Sequence, residues 1–65
     1  MTYAEAIKEL REKLIVSQTE LAQMLGVSFG SVSRWEKGHF EPTIKIKRKL
    51  VPLFEKYEIE IKRVR

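Results

Sequence analysis

Apolar residues recur at helical spacing in four stretches, and a hydroxyl residue (Thr2, Ser17, Ser28 or Thr43) stands in front of each. Ile7, Leu10 and Leu14 are three and four apart, which predicts a helix over about 3–14. Thr2-Tyr3-Ala4-Glu5 ahead of them is a capping-box pattern: the threonine caps and the glutamate reaches back. Ser17-Gln18-Thr19-Glu20 repeats it and opens a second helix, with Leu21, Met24 and Leu25 as the expected buried stripe. A third helix is expected over about 28–36, followed by a loop, Lys37-Gly38-His39-Phe40-Glu41-Pro42, in which Gly38 stops the helix. Thr43 is expected to cap a fourth helix, with Ile46, Leu50, Leu53, Phe54 and Tyr57 on one face. Pro52 interrupts that pattern, so a kink or a split is expected, with 52–57 as a separate short helix. From Glu58 the period changes to alternation, which suits an extended arm, an edge strand or a disordered end. The chain therefore reads as all-α, with a domain over 1–57 and a tail over 58–65.

The junction between the second and third helices carries the chemistry. Leu25-Gly26-Val27-Ser28 places a glycine where a helix can end in the left-handed region and a serine where the next can be capped. Two short helices joined this way make a helix-turn-helix, whose second helix usually enters the major groove of DNA. A helical wheel puts Val32, Trp35 and Glu36 on one arc of the third helix and Gly30, Ser33, Arg34 and Lys37 on the other, with Phe29 at its edge. The second arc is small near its start and basic near its end, as a surface that approaches a groove should be. Phe29, Gly30, Ser33 and Arg34 are the base-reading candidates.

Each of these has a plainer alternative. Arg34 can fork onto guanine O6 and N7, clamp a phosphate, or simply be solvated. Phe29 can touch thymine methyl groups or fold under as core. Gly30 costs a helix interior roughly 1 kcal/mol against alanine, so either close approach to DNA or accident explains it. Trp35 reads as core. Phosphate contacts fall to Gln18 and Thr19 at the start of the second helix, to Ser28 and Ser31, and to Lys37 and His39 in the following loop. Exposed serines often do nothing, and a lone surface histidine without partners at ligand spacing reads as neither catalytic nor metal-binding.

Charge placement supports this direction. The net charge of +4 arises between residues 34 and 49, where Arg34, Lys37, Lys45, Lys47, Arg48 and Lys49 face only Glu36 and Glu41. A basic patch beside a groove-reading helix supplies phosphate neutralisation, although a solvated helix face is the plain reading of such a stretch. The 65 residues include no cysteine, so disulfides and thiolate metal sites are excluded. Apolar runs such as Leu50-Val51-Pro52-Leu53-Phe54 are too short to span a bilayer, and no signal-peptide pattern opens the chain, so a cytoplasmic location is expected. An enzyme lacks parts: there is one histidine, and Glu5, Glu9 and Glu12 interleave with Lys8, Arg11 and Lys13 as a solvated face. Neither cofactor nor metal is expected.

Leu10-Arg11-Glu12-Lys13, Ser17-Gln18-x-Glu20-Leu21-Ala22, Gly26-Val27-Ser28, Val32-Ser33-x-Trp35-Glu36-x-Gly38 and Pro42 together resemble the phage-repressor (Cro/lambda-repressor-like, XRE-type) helix-turn-helix family over roughly residues 4–57. The resemblance implies a compact all-α bundle of four to five helices, with the helix-turn-helix at the second and third. It also implies an ion pair between Arg11 and Glu36, base reading at Phe29, Gly30, Ser33 and Arg34, and a phosphate contact at Gln18. Ile15 stands where the family often has glycine, so a differently built turn is expected there. Phe29 and Gly30 stand where many members carry glutamine or arginine. The expected function is sequence-specific binding of double-stranded DNA by a transcriptional repressor or regulator. The expected form is a homodimer on an inverted-repeat operator, touching through exposed parts of the fourth helix and Ile59, Ile61 and Val64. The rival reading is an antitoxin-like or accessory module that binds a protein partner, with DNA binding secondary.

Overall fold

The hydroxyl residues and the chain breaks translate directly into helix ends. A computed structural model describes residues 2–60, which form α1 (Tyr3–Leu14), α2 (Gln18–Leu25), α3 (Phe29–Glu36) and α4 (Ile44–Lys56), with no strand among the described residues. Both capping boxes are present. The Glu5 amide donates to Thr2 Oγ1 at 3.3 Å while the Thr2 amide donates to Glu5 Oε1 at 3.0 Å. At α2 the Glu20 amide donates to Ser17 Oγ at 3.1 Å and the Ser17 amide to Glu20 Oε1 at 2.9 Å. Ser28 caps α3 by accepting from the Ser31 amide at 3.3 Å. Thr43 occupies the equivalent position before α4, yet its side chain makes no cap bond; only its carbonyl joins the helix, accepting from Lys47 at 2.8 Å.

All four helices end alike. Ile15, Gly26, Gly38 and Glu58 lie in the left-handed region, with φ of 57°, 74°, 78° and 57°. The next amide in each case bonds back into the last turn: Val16 to Arg11, Val27 to Ala22, His39 to Arg34 and Ile59 to Phe54. This closure satisfies carbonyls that would otherwise be orphaned, and glycine serves it best because it has no Cβ to clash. At the α1–α2 turn isoleucine takes the conformation itself, so the turn keeps the geometry a glycine would give it. A β-branched residue there is a strained outlier costing about 1–2 kcal/mol. Ile15 is 88% exposed, so its removal forfeits little packing. Ile15→Gly is therefore expected to stabilise the domain by about 0.5–1 kcal/mol net of glycine's extra chain entropy, raising Tm by several degrees. An unchanged or lower Tm in a thermal melt would refute this account of the turn.

The core draws on every helix: Ala6, Ile7 and Leu10 from α1, Leu21, Ala22 and Leu25 from α2, Val32 and Trp35 from α3, and Ile46, Leu50 and Phe54 from α4. α3 packs on both α2 and α1, and α4 closes over α1. Three expectations need correction. Met24 is 52% exposed, because the buried arc of α2 is centred between Leu21 and Ala22 and Met24 lies roughly 110° away from it. Pro52 does not split α4, which runs unbroken from Ile44 to Lys56. Pro52 and Arg48 are both exposed, so water can serve the carbonyl that proline leaves unpaired, while Leu50 and Phe54 anchor the helix on either side of it. Ile59, expected in a tail and at a dimer contact, is 5% exposed and part of this core, pulled in by the left-handed turn at Glu58. Ile61 and Val64 lie outside the described residues.

Candidate nucleic-acid interface

α3 is held by one face and presents the other. Val32, Trp35 and Glu36 are buried, whereas Phe29, Arg34 and Lys37 are exposed and Gly30, Ser31 and Ser33 are half-buried. Phe29 is 53% exposed, so it is not a core residue. At Gly30 an added Cβ would meet only Ser28 Oγ at 3.9 Å, an ordinary contact, and its φ is not left-handed. The fold itself therefore gives no reason for a glycine there. Ser28 and Ser31 share a hydroxyl–hydroxyl bond of 3.1 Å, which engages both at the start of α3.

Glu36 is where the helices are tied together. Arg11 Nε donates to Glu36 Oε2 at 2.5 Å and Arg11 Nη2 to Oε1 at 2.9 Å, a two-point fork between the ends of α1 and α3. Arg11 Nη1 also reaches the Val16 carbonyl at 3.4 Å, so the same guanidinium braces the α1–α2 turn. Gln18 Nε2 donates to Glu36 Oε1 at 2.9 Å. The Glu36 side chain is 4% exposed and that of Arg11 25%. Burial pushes the Glu36 carboxyl up, but the hydrogen bonds from Arg11 and Gln18 and the Arg11 charge outweigh it and hold the group below its usual 4.5. A forked, hydrogen-bonded carboxylate is what makes such a burial tolerable.

Gln18 was a candidate for phosphate only, and its side chain turns inward. On a wheel it falls beside Leu21 and Leu25, a spacing of three and seven that could have revealed this from the sequence. One amide hydrogen is spent on Glu36, which leaves the other for a second partner. Thr19, Lys37 and His39 are exposed as separate positions flanking α3 in sequence, Thr19 on α2 and the others in the following loop.

The basic stretch divides into two groups. Lys47 pairs with Glu41 at 3.0 Å and lies over the Tyr3 ring at 4.8 Å, which fastens the 37–43 loop to α4 and α1. Lys49 donates to the Leu25 carbonyl at 3.0 Å. It thereby places a cation on the negative end of α2 and ties α4 to the helix-turn-helix junction. Lys13 similarly donates to the Tyr57 carbonyl at 2.9 Å, joining the ends of α1 and α4. These three anchors carry no signal in the sequence, since each partner is a backbone carbonyl or a distant side chain. Arg34, Lys37, Lys45 and Arg48 are exposed and make no ion pair among the described residues. Four cations of the stretch are thus exposed without an ion pair, matching the net +4 that the sequence gives it.

Comparison with known proteins agrees with this architecture. Residues 7–51, from the middle of α1 into α4, match a family model described as helix-turn-helix. Over 51 residues, 78% of this chain, it is 49% identical to a protein of Pyrococcus furiosus provisionally named an HTH-type transcriptional regulatory protein. A similarly named protein of Pyrococcus abyssi is 43% identical over 49 residues, 75% of this chain. The matched region spans only 16% of either relative's length. No solved structure matches the chain. With the two capped helices, the Gly26 turn and a third helix half buried and half presented, the chain belongs to the XRE-type helix-turn-helix family.

Proposed function

We infer that this domain binds double-stranded DNA sequence-specifically and acts as a transcriptional regulator, in the repressor mode, with α3 in the major groove. The observation that carries this is the division of α3. One arc is consumed by the core and by Glu36, while Phe29, Arg34 and Lys37 stand exposed on the other. The names of the two relatives point the same way. Gly30 lets the helix backbone approach base edges, and Arg34 offers a guanidinium fork to guanine. Ser33, half-buried, reads bases beside them. The start of α2 with Gln18 and Thr19, together with Ser28, Ser31, Lys37 and His39, holds the flanking phosphates. Such contacts set register without reading sequence.

A single module of this size has too small a footprint for tight specific binding. The domain therefore works as a homodimer on an inverted repeat, with half-sites roughly 34–36 Å apart. Ile44, 70% exposed at the start of α4, and Phe40, 64% exposed in the preceding loop, are neighbouring parts of the chain that offer apolar surface to a second copy or to a protein partner. The place of action is the cytoplasm, with the DNA.

In vitro selection from a random duplex library at about 0.15 M salt tests this reading, because non-specific binding is weak there. An enriched inverted repeat is the expected result. Absence of any enriched sequence would remove base reading by α3 and favour the protein-partner role.

A further inference from the structure

We propose that Phe29 reads the 5-methyl group of a thymine, so that each half-site contains a thymine whose methyl is needed for full affinity. This rests on the reading of α3 as the groove helix. Phe29 is the first residue of α3 and 53% exposed, and a recognition helix meets base edges with its N-terminal residues. Its ring has neither donor nor acceptor to offer a base edge. The thymine methyl is the one apolar group that base pairs present in the major groove, so it is the feature such a ring can recognise.

The surroundings of Phe29 favour it as the contact. Gly30 beside it has no side chain to hold the ring away from the groove floor. Ser28 and Ser31, on either side in the same turn, are bonded to each other at 3.1 Å, and Ser28 also accepts from the Ser31 amide. Val32, the other apolar side chain of this first turn, is fully buried, so Phe29 is the apolar group the turn leaves exposed. One helical turn on from Gly30, Arg34 is exposed and suits a guanine. The half-site chemistry that follows is a thymine and a guanine read by the same helix.

The test uses the selected operator with each thymine replaced in turn by deoxyuridine, which deletes only the methyl and keeps the base-pair hydrogen bonds. Fluorescence anisotropy then compares wild type, Phe29→Leu and Phe29→Ala, with helical content checked by circular dichroism. A buried methyl group corresponds to about a fourfold change in affinity per half-site. Wild type is expected to lose about that factor at one thymine per half-site. Phe29→Leu should keep the sensitivity, and Phe29→Ala should bind thymine and uracil sites equally. An enriched operator on which no uracil substitution weakens binding overturns the methyl assignment while leaving base reading by α3 intact. A uracil penalty that persists in Phe29→Ala also overturns it, assigning the methyl to another residue. Failure of the library to enrich any sequence overturns both readings together.

Discussion

Arg11→Met is expected to cost the domain about 3–5 kcal/mol, most of it from leaving the Glu36 carboxylate buried with too few partners. Methionine replaces the apolar stem of arginine and lacks only the guanidinium end, so lost packing contributes little. What disappears is the two-point fork onto Glu36 and the reach to the Val16 carbonyl. Gln18 remains as one neutral donor at 2.9 Å and cannot balance a full charge on a side chain 4% exposed. For a small domain this is most of a typical folding free energy. Pairing Arg11→Met with Glu36→Gln should recover a large part of the loss, because the stranded charge goes with its partner. Urea unfolding followed by circular dichroism at pH 7 measures both. A loss below about 1 kcal/mol in the single variant would mean that water reaches Glu36 and that the pair is worth no more than a surface one.

The same carboxylate sets the acid limit of stability. Glu36, Glu5 and Glu20 all lie below the usual 4.5, Glu5 and Glu20 through the capping-box bonds to Thr2 and Ser17. A group with a depressed folded value binds protons more readily when unfolded. Its contribution is therefore complete above about pH 4.5 and is lost as pH falls through the folded value. Stability of the wild type is expected to be flat from pH 7 to 5 and to decline below 4.5. In Arg11→Met the Glu36 share of that decline should vanish, since protonating a stranded carboxylate then helps folding instead of opposing it.

Arg34→Ala is the functional counterpart. Affinity for the selected operator should fall by roughly 1–3 kcal/mol, about five- to 150-fold, with preference lost at one base position per half-site. Arg34→Lys should restore affinity only in part, because an ammonium cannot present a two-point fork to guanine. Folding should be unaffected, as Arg34 is exposed and makes no ion pair among the described residues. Lys37→Ala supplies the contrast: a uniform loss on every duplex, with the salt slope reduced by about one. Repeating the selection with Arg34→Ala decides the matter. An unchanged enriched sequence would reassign Arg34 from bases to phosphate.

Local chemistry was legible in the chain from the start. The capping boxes at Thr2 and Ser17 and the exits at Gly26 and Gly38 depend on residues a few positions apart. The two faces of α3 follow from helical period alone, so its exposed arc could be drawn from the sequence. The Arg11–Glu36 pair came within reach only through likeness to a family, because 25 residues separate its members. The helix ends near 14 and 57 were legible, but the left-handed conformation of Ile15 and Glu58 was not, for a different reason. They adopt a conformation that ordinarily selects glycine, and in each the following amide closes back on the last helical turn. Pro52 misled in the opposite sense, since exposure makes its missing donor harmless.

By itself the sequence determined where the helices begin, where most of them end and which face of α3 is free, because those outcomes rest on hydrogen bonds and periodicities internal to short segments. The tertiary structure alone decided that Gln18 turns toward Glu36, that Lys49 caps α2, that Lys47 braces the loop and that Ile59 completes the core. Several of these contacts join residues far apart in sequence, and the others depend on how one element lies against the next. Each is selected by the relative placement of elements, a property that no short window of sequence contains.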